Sequence, residues 1–414
     1  MSLYRDFDHL APPIGTDGTP FEYYEQLRDE ALTTNTPIGW SEHHGGFWVV
    51  TGWQAARDVY LDHQNISSRV VALPQYQTST GNRMILAEED EPAHKTHRRL
   101  VNTPFSPGNA EKIDAQVRTT ANQLIDGFIG HGRVEFCHVF GDRMTERVAA
   151  IMLGLPPDDG TMHRQWTHAA THGIYTDRGA AELQMRELDA YWEALIAEKR
   201  LRPTNDVFSI VVHSEIEGEK LSQTQLKDFF TILLLAAIDN TTRLLNTVGW
   251  RLAWDHDLRR RLAANPDSIP AAVEEFVRLY APAVIFRVVE NDVSMHGVEM
   301  KKDQHICLVA QLANRDPREF PYPDNLIAER SPNRHLTLGT GIHRCLGLHL
   351  VKVELRVAIQ ELLRRIPTFA LDPERKPCWE CGQVSGMNEV PIVFPRGGGL
   401  NAHWTPALAL ALSE

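Results

Sequence analysis

The segment Leu338-Gly339-Thr340-Gly341-Ile342-His343-Arg344-Cys345-Leu346-Gly347 carries the clearest chemical signal in the chain. Its first two glycines permit a tight loop lying close to a flat ligand. Leu348, Val351, Leu355, Ile359 and Leu362 fall at helical spacing, so a helix starts directly after Cys345. The free amides and positive dipole end of such a helix favour an anionic sulfur, and His343 and Arg344 add positive charge. A cysteine ahead of a helix is ordinarily a packing residue. With the glycines, the histidine and Leu346-Gly347 around it, Cys345 reads instead as a thiolate ligand for a metal.

Three further groups of residues could do chemistry. Glu275-Phe276-Val277-Arg278 has the i, i+3 spacing that puts a carboxylate and a guanidinium on one helix face. Pro92-Ala93-His94-Lys95-Thr96-His97-Arg98-Arg99 is a basic run suited to an anionic group. Ala236-Ala237-Ile238-Asp239-Asn240-Thr241-Thr242 sets small residues beside an acid, an amide and two alcohols, the types needed to leave room for a small reactant and move protons to it.

The cysteine segment resembles the haem-binding loop of the cytochrome P450 family, Phe-Gly-x-Gly-x-His-x-Cys-x-Gly, and departs from it only at Leu338. The resemblance implies haem b held by the Cys345 thiolate, with Leu338, Gly339 and Gly347 around it. A thiolate on haem iron favours cleavage of the O–O bond. Glu275 and Arg278 look like the family's Glu-x-x-Arg, and Arg330 then completes a buried ionic network that supports the haem loop. His94, Arg98, Arg287 and His343 match the family's partners for the two haem propionates. The Ala236–Thr242 run is similar to the family's Ala-Gly-x-Asp/Glu-Thr-Thr and admits two registers. Thr241 as the oxygen-side alcohol would put Ile238 and Asn240 where a small residue and an acid belong. Asn240 in that place keeps Ala237 small and Asp239 acidic, and is the preferred register. By family position, substrate meets the 70–86 loop, including Val71, Met84 and Ile85, together with Ala236, Ala237, Val284, Ile285 and Met387.

Behind these residues stand the elements that position them. Ser222-Gln223-Thr224-Gln225 offers a capping box, and no proline interrupts 204–265, so one unusually long helix is expected from Ser222 to Asp255. A second helix is expected over Ile269–Tyr280. Strands are expected at Phe47–Thr51, Phe286–Glu290, Val293–Met300 and His305–Val309. The stretch Ala110–Leu201 reads as helical nearly throughout, broken at Gly132 and Pro156-Pro157. A Pro-rich irregular stretch follows over Asp316–Asn333. The fold class is therefore mainly α with minor β-sheet, in one unit over 1–414, and the resemblance implies the cytochrome P450-like fold with a long central helix and a Cys-ligand loop.

Composition narrows the partners. Forty-two basic against fifty-four acidic residues give a net charge of −12, which disfavours nucleic acid. The longest apolar run, Phe229–Ile238 with one Thr, is too short to span a bilayer, and the amino-terminus lacks a signal-type apolar region, so a cytoplasmic protein without a membrane is expected. Five scattered cysteines argue against a disulfide framework, and Cys378 and Cys381 form a lone CxxC read as two ordinary thiols in a C-terminal loop. The expected activity is monooxygenation: one atom of O2 inserted into a hydrophobic small organic substrate. No flavin or nicotinamide motif is present, so electrons are expected from a separate ferredoxin and its NAD(P)H-dependent reductase. Arg98, Arg99, Arg344 and Lys352 supply a basic docking face. The alternatives are oxidative coupling or cyclisation, peroxide-driven oxidation, and a haem-binding sensor without turnover.

Overall fold

The computed structural model describes residues 2–74, 83–156 and 159–397. Its longest element is the helix Gln223–Trp254, 32 residues, and Ser222 starts it as the sequence predicts. The Ser222 hydroxyl accepts from the Gln225 amide (3.2 Å), and the Gln225 side chain accepts from the Ser222 amide (2.9 Å), which satisfies two otherwise unpaired donors. Asp255 closes the helix and caps the next one, His256–Ala264, by accepting from the Leu258 amide (3.0 Å). The long helix is apolar on most sides because helices Asp142–Leu153, Gly160–His168 and Arg178–Leu201 and the strand Gly386–Glu389 pack around it. It is the axis of the main core. Among the described residues, no helix is long and apolar enough to cross a membrane.

A five-stranded sheet stands beside this core in the order Ile38–Ser41, Phe47–Val50, His305–Val309, Val284–Val289, Ile66–Ser67. Phe47–Val50 runs parallel to His305–Val309, and the other pairs are antiparallel. Several sequence expectations need correction here. The strand expected at Phe286 begins at Val284. Val293–Met300 is a hairpin of two short strands, because His296 (φ 48°) and Gly297 (φ 83°) form a two-residue left-handed turn between them. Inside the stretch read as helical, Arg133–Glu135 is a strand paired with Pro391–Val393. The helix before Pro156 ends at Leu153, where Gly154 is left-handed, and Pro157 lies outside the described residues. Cys378 opens a strand paired with Gly386–Glu389, so the CxxC is part of a hairpin and not of a loop; both thiols are free.

The irregular stretch 316–333 is held by one carboxylate. Glu275, in helix Ile269–Leu279, is fully buried with Arg278. Its Oε1 accepts from Arg278 Nε (2.6 Å), Arg330 Nε (3.0 Å) and Asn333 Nδ2 (3.0 Å), and its Oε2 from Arg278 Nη2 (2.9 Å) and the Ile327 amide (3.0 Å). The two guanidiniums pass the order outward to chain carbonyls: Arg278 to Asn314, Pro323 and Asn325, and Arg330 to Pro321 and Tyr322. Burial pushes the Glu275 carboxyl up. The Arg278 hydrogen bonds and charge, the Ile327 amide and Arg330 outweigh it and hold the group below its ordinary value. Removing this carboxylate strands two cations in the interior, which costs about 3–5 kcal/mol. Glu275→Ala should therefore give largely insoluble protein, or a soluble fraction with a sharply lowered unfolding midpoint; a soluble variant that unfolds with the parent would show the network to be dispensable.

Candidate active site

The cysteine loop is tied to that network from one side. Asn314, whose carbonyl binds Arg278, donates from Nδ2 to Arg278 O (2.9 Å) and Thr337 Oγ1 (2.8 Å) and accepts from the Leu336 amide (2.7 Å). Gly339 N then bonds Leu336 O (2.9 Å) and Cys345 N bonds Leu338 O (2.8 Å), closing the loop. Gly339 (φ 64°) and Gly341 (φ 72°) are both left-handed, and a Cβ on Gly341 would lie 3.0 Å from the Tyr60 carbonyl oxygen. Gly347 has ordinary backbone (φ −81°) and is the residue from which helix Leu348–Arg365 starts. Leu338 is half-buried against the main core.

The electrostatics of Cys345 differ from the expectation. The Gly347 amide and the Arg98 and Arg344 charges favour the anion, yet burial outweighs them and raises the thiol above its ordinary value. The helix begins three residues beyond the cysteine, which weakens the dipole's contribution.

Arginine and histidine side chains from three separate segments converge at the loop. His94, in helix Ala93–Val101, packs its ring on His343 with centroids 4.0 Å apart, and neither nitrogen of His94 nor Nε2 of His343 has a hydrogen-bond partner. Burial and the charges of Arg287, His94 and Arg98 push His343 down to about 2, and burial and Arg98 lower His94. Arg98 Nη2 donates to the Arg344 carbonyl (2.5 Å). Arg287 is buried on the sheet, donates to Phe286 O (2.7 Å) and lies over the Tyr60 ring at 5.8 Å. Among the described residues neither arginine has a carboxylate within ion-pair distance. A buried and a half-buried imidazole with two guanidiniums that lack a carboxylate form, in one place, a site for an anionic group.

The central helix presents Ala236 exposed and Ala237 and Asn240 half-buried, although it is otherwise mostly buried along its middle. An exposed alanine inside so buried a helix marks open space against it. Asn240 is one turn beyond Ala236 and shares this stripe. Asp239 and Thr241 do not: both are buried, and Thr242 is occupied with Thr145 through a 2.5 Å hydroxyl pair. Asp239 lies instead 3.6 Å from Arg243 Nε and 3.8 Å from His172 Nδ1, and its Oδ2 makes no hydrogen bond. Arg243 continues to Glu380 and Asn388, and Glu380 meets the exposed His168 at 3.3 Å. The Asp239–Arg243 spacing of four was the one sign of this network in the sequence. His172 and Glu380 carried none, nor did Tyr60.

The expected substrate residues separate. Val71 and Ile285 are half-buried, and Met84, Ile85, Val284 and Met387 are buried. Val284 and Ile285 cannot line one wall together. Successive strand residues face opposite ways, and Val284 packs with Phe47, Leu73 and Phe286 while Ile285 shares the Arg287 face.

Comparison with known proteins gives this architecture its class. A family model described as Cytochrome P450 matches residues 269–392. Mycinamicin IV hydroxylase/epoxidase of Micromonospora griseorubida is 31% identical over 84% of this chain and 89% of its own length. Steroid C26-monooxygenase of Mycolicibacterium smegmatis is 30% identical over 95% of this chain and 97% of its own. Among solved structures, CYP109E1 from Bacillus megaterium in complex with testosterone superposes with a TM-score of 0.81 at 26% identity, covering 92% of this chain and 98% of that one. The fold and its relatives define an oxidoreductase of the monooxygenase class. The chain belongs to the cytochrome P450 family.

Membership implies haem with a cysteine thiolate. The residues present fit such a group: a tight loop offering a thiol, open space along Ala236 and Ala237, and two arginines without a carboxylate partner beside two imidazoles with bare nitrogens. The loop geometry itself is testable. Gly341→Ala forces a non-glycine residue into the left-handed region against backbone, and should destabilise by about 1–3 kcal/mol in urea unfolding. Gly108→Ala, in open space at ordinary φ, should stay within about 0.5 kcal/mol of the parent. Equal midpoints for the two variants would refute the close approach of Gly341 to Tyr60.

Proposed function

We propose that this chain is a haem b monooxygenase in which Cys345 is the iron ligand and a hydrophobic small organic molecule is hydroxylated. The observation that carries the reading is the meeting of residues 94–98 with 343–345: two packed imidazoles whose His94 nitrogens and His343 Nε2 make no hydrogen bond, and a guanidinium without a carboxylate partner among the described residues, beside a half-buried thiol preceded by two left-handed glycines. Haem so ligated supplies the reductive activation of O2, one atom entering a C–H bond of the substrate and the other leaving as water.

The protein's own residues do the rest. His94, Arg98, Arg287 and His343 bind the propionates through their N–H groups and set the ring's orientation. Leu338, Gly339 and Gly347 let the ring approach the loop. Ala237 keeps the reaction space small-walled, and Asn240, able both to donate and accept, holds a water or the small reactant by its amide. Asp239, whose Oδ2 makes no hydrogen bond, takes up protons there and delivers them by side-chain rotation or through water. Val71, Met84, Ile85, Ala236, Ile285 and Met387 exclude water around an apolar substrate, and Val284 supports them from the other face of its strand. The names of the relatives, one for a steroid and one for mycinamicin IV, support a hydrophobic substrate.

Electrons come from a separate ferredoxin with its NAD(P)H-dependent reductase, in the cytoplasm, and residues 1–414 act as one unit. A groove of about 650 Å³ behind the loop, walled by Arg57, Arg344 and Lys352, supports docking of an acidic partner there. Lys352 contributes less than its charge suggests, because Glu274 holds it at 2.6 Å.

Cys345→Ser should abolish the thiolate-type absorption of the reduced, carbon monoxide-treated protein, while Cys378→Ser and Cys381→Ser keep it. Retention in Cys345→Ser would end the assignment. With substrate found by spin-state screening, Asp239→Asn should slow substrate-dependent NAD(P)H and oxygen consumption about 10²-fold. Asn240→Ala and Asn240→Thr should change coupling only modestly. If Thr241→Ala diverts oxygen into peroxide while Asn240→Ala behaves like the parent, Thr241 and not Asn240 is the oxygen-side residue.

A further inference from the structure

On the sheet face opposite Arg287, four side chains with metal-binding donors meet. The ligand atoms of Asp8, His9 and His44 all lie within 4.8 Å of one another. His44 Nε2 is 2.8 Å from Asp8 Oδ1, and His43 Nδ1 is 3.6 Å from Asp8 Oδ2. His9 is 1% exposed and packs on Phe47 and Phe286, with centroids at 5.6 and 4.8 Å, and against the His44 ring at 5.1 Å.

The hydrogen bonding of His9 fixes which nitrogen is available. Its Nε2 is 2.7 Å from the Leu73 carbonyl, which can only accept, so Nε2 carries the hydrogen. Nδ1 then bears a lone pair, and this buried atom has no hydrogen-bond partner. A ring that gives one N–H to a backbone carbonyl and keeps the other nitrogen bare is the arrangement by which metal-ligating histidines are oriented. His44, Gly45 and Gly46 are left-handed in succession (φ 52°, 87° and 94°), and that turn brings the His43-His44 pair back over Asp8. For His44, a non-glycine residue, this backbone is costly and persists only where its surroundings hold it.

We propose that Asp8, His9 and His44 bind a late first-row divalent cation, zinc by preference, with His43 as a fourth ligand. Imidazole nitrogens with a single carboxylate suit zinc, nickel or copper, whereas calcium and magnesium demand oxygen ligands. Zinc bound at about 2.0–2.2 Å needs its donors roughly 3.3 Å apart. Asp8 and His44 are partly exposed and can close that distance by side-chain rotation, while His9 stays fixed by Leu73. The ion would join the amino-terminal segment, the turn before strand Phe47–Val50 and the chain at Leu73 at one point. Haem and its cysteine take no part.

The test uses the full haem protein carrying Cys378→Ser and Cys381→Ser, stripped with chelator and titrated with zinc by calorimetry and with cobalt by visible absorption. One saturable equivalent is expected, with a tetrahedral-type cobalt spectrum and a raised unfolding midpoint in zinc but not in magnesium. His44→Asn keeps a residue that tolerates left-handed backbone. It and Asp8→Asn should each weaken that equivalent at least about 10-fold and remove the midpoint shift. Unchanged stoichiometry and affinity in both variants, or no saturable equivalent in the parent, would overturn the proposal.

Discussion

One buried carboxylate governs how the cysteine loop is presented. Glu275 receives five hydrogen bonds from two arginines, an asparagine and a backbone amide, and the arginines spend their remaining donors on carbonyls of a chain that has no regular structure of its own. A stretch without helix or strand has to find partners for its polar backbone elsewhere. Here it finds them in charged side chains. Asn314 and Thr337 carry the same order one step further, to the residues immediately before Leu338. The position of Cys345 is thus fixed through a relay of hydrogen bonds that begins seventy residues earlier.

On the opposite side of the loop the balance of charge is different. Around Glu275, cations and anion answer each other, whereas Arg98 and Arg287 have no carboxylate within ion-pair distance among the described residues. Burying cations is unfavourable unless something anionic compensates, so these two clusters, close in the fold, serve opposite ends. The first is complete and structural. The second is complete only with a ligand. The central helix divides in the same way, with Ala236, Ala237 and Asn240 turned to open space and Asp239 turned into an ion-pair cluster with Arg243 and His172.

What the sequence disclosed follows from how local each signal was. Ser222 and Gln225 announce their helix within four residues, and the glycines around His343 and Cys345 describe their loop without outside help. Glu275 and Arg278 are one turn apart, so their pairing was readable, and Arg330 needed only the family resemblance. Ile38–Ser41, Ile66–Ser67 and Arg133–Glu135 were missed because two to four residues hold too little periodicity to separate strand from loop; they are strands because of their neighbours. Asp239 looked like a group aimed at the reaction space, since nothing nearby in sequence names His172 or Glu380 as its company. Substrate contact is expected of both Val284 and Ile285, whereas the period of a strand turns these neighbours to opposite faces.

The parallel pairing of Phe47–Val50 with His305–Val309 has a consequence for how this protein comes into being. The two strands are separated by about 250 residues, so the sheet cannot close until the chain through Val309 has left the ribosome. Until then the Ile38–Val50 hairpin shows an open edge and apolar Phe47 and Val49 side chains to water or to a chaperone. Closing so long a loop is entropically slow. The length of chain between the two strands thus sets how long that hairpin waits unpaired during synthesis.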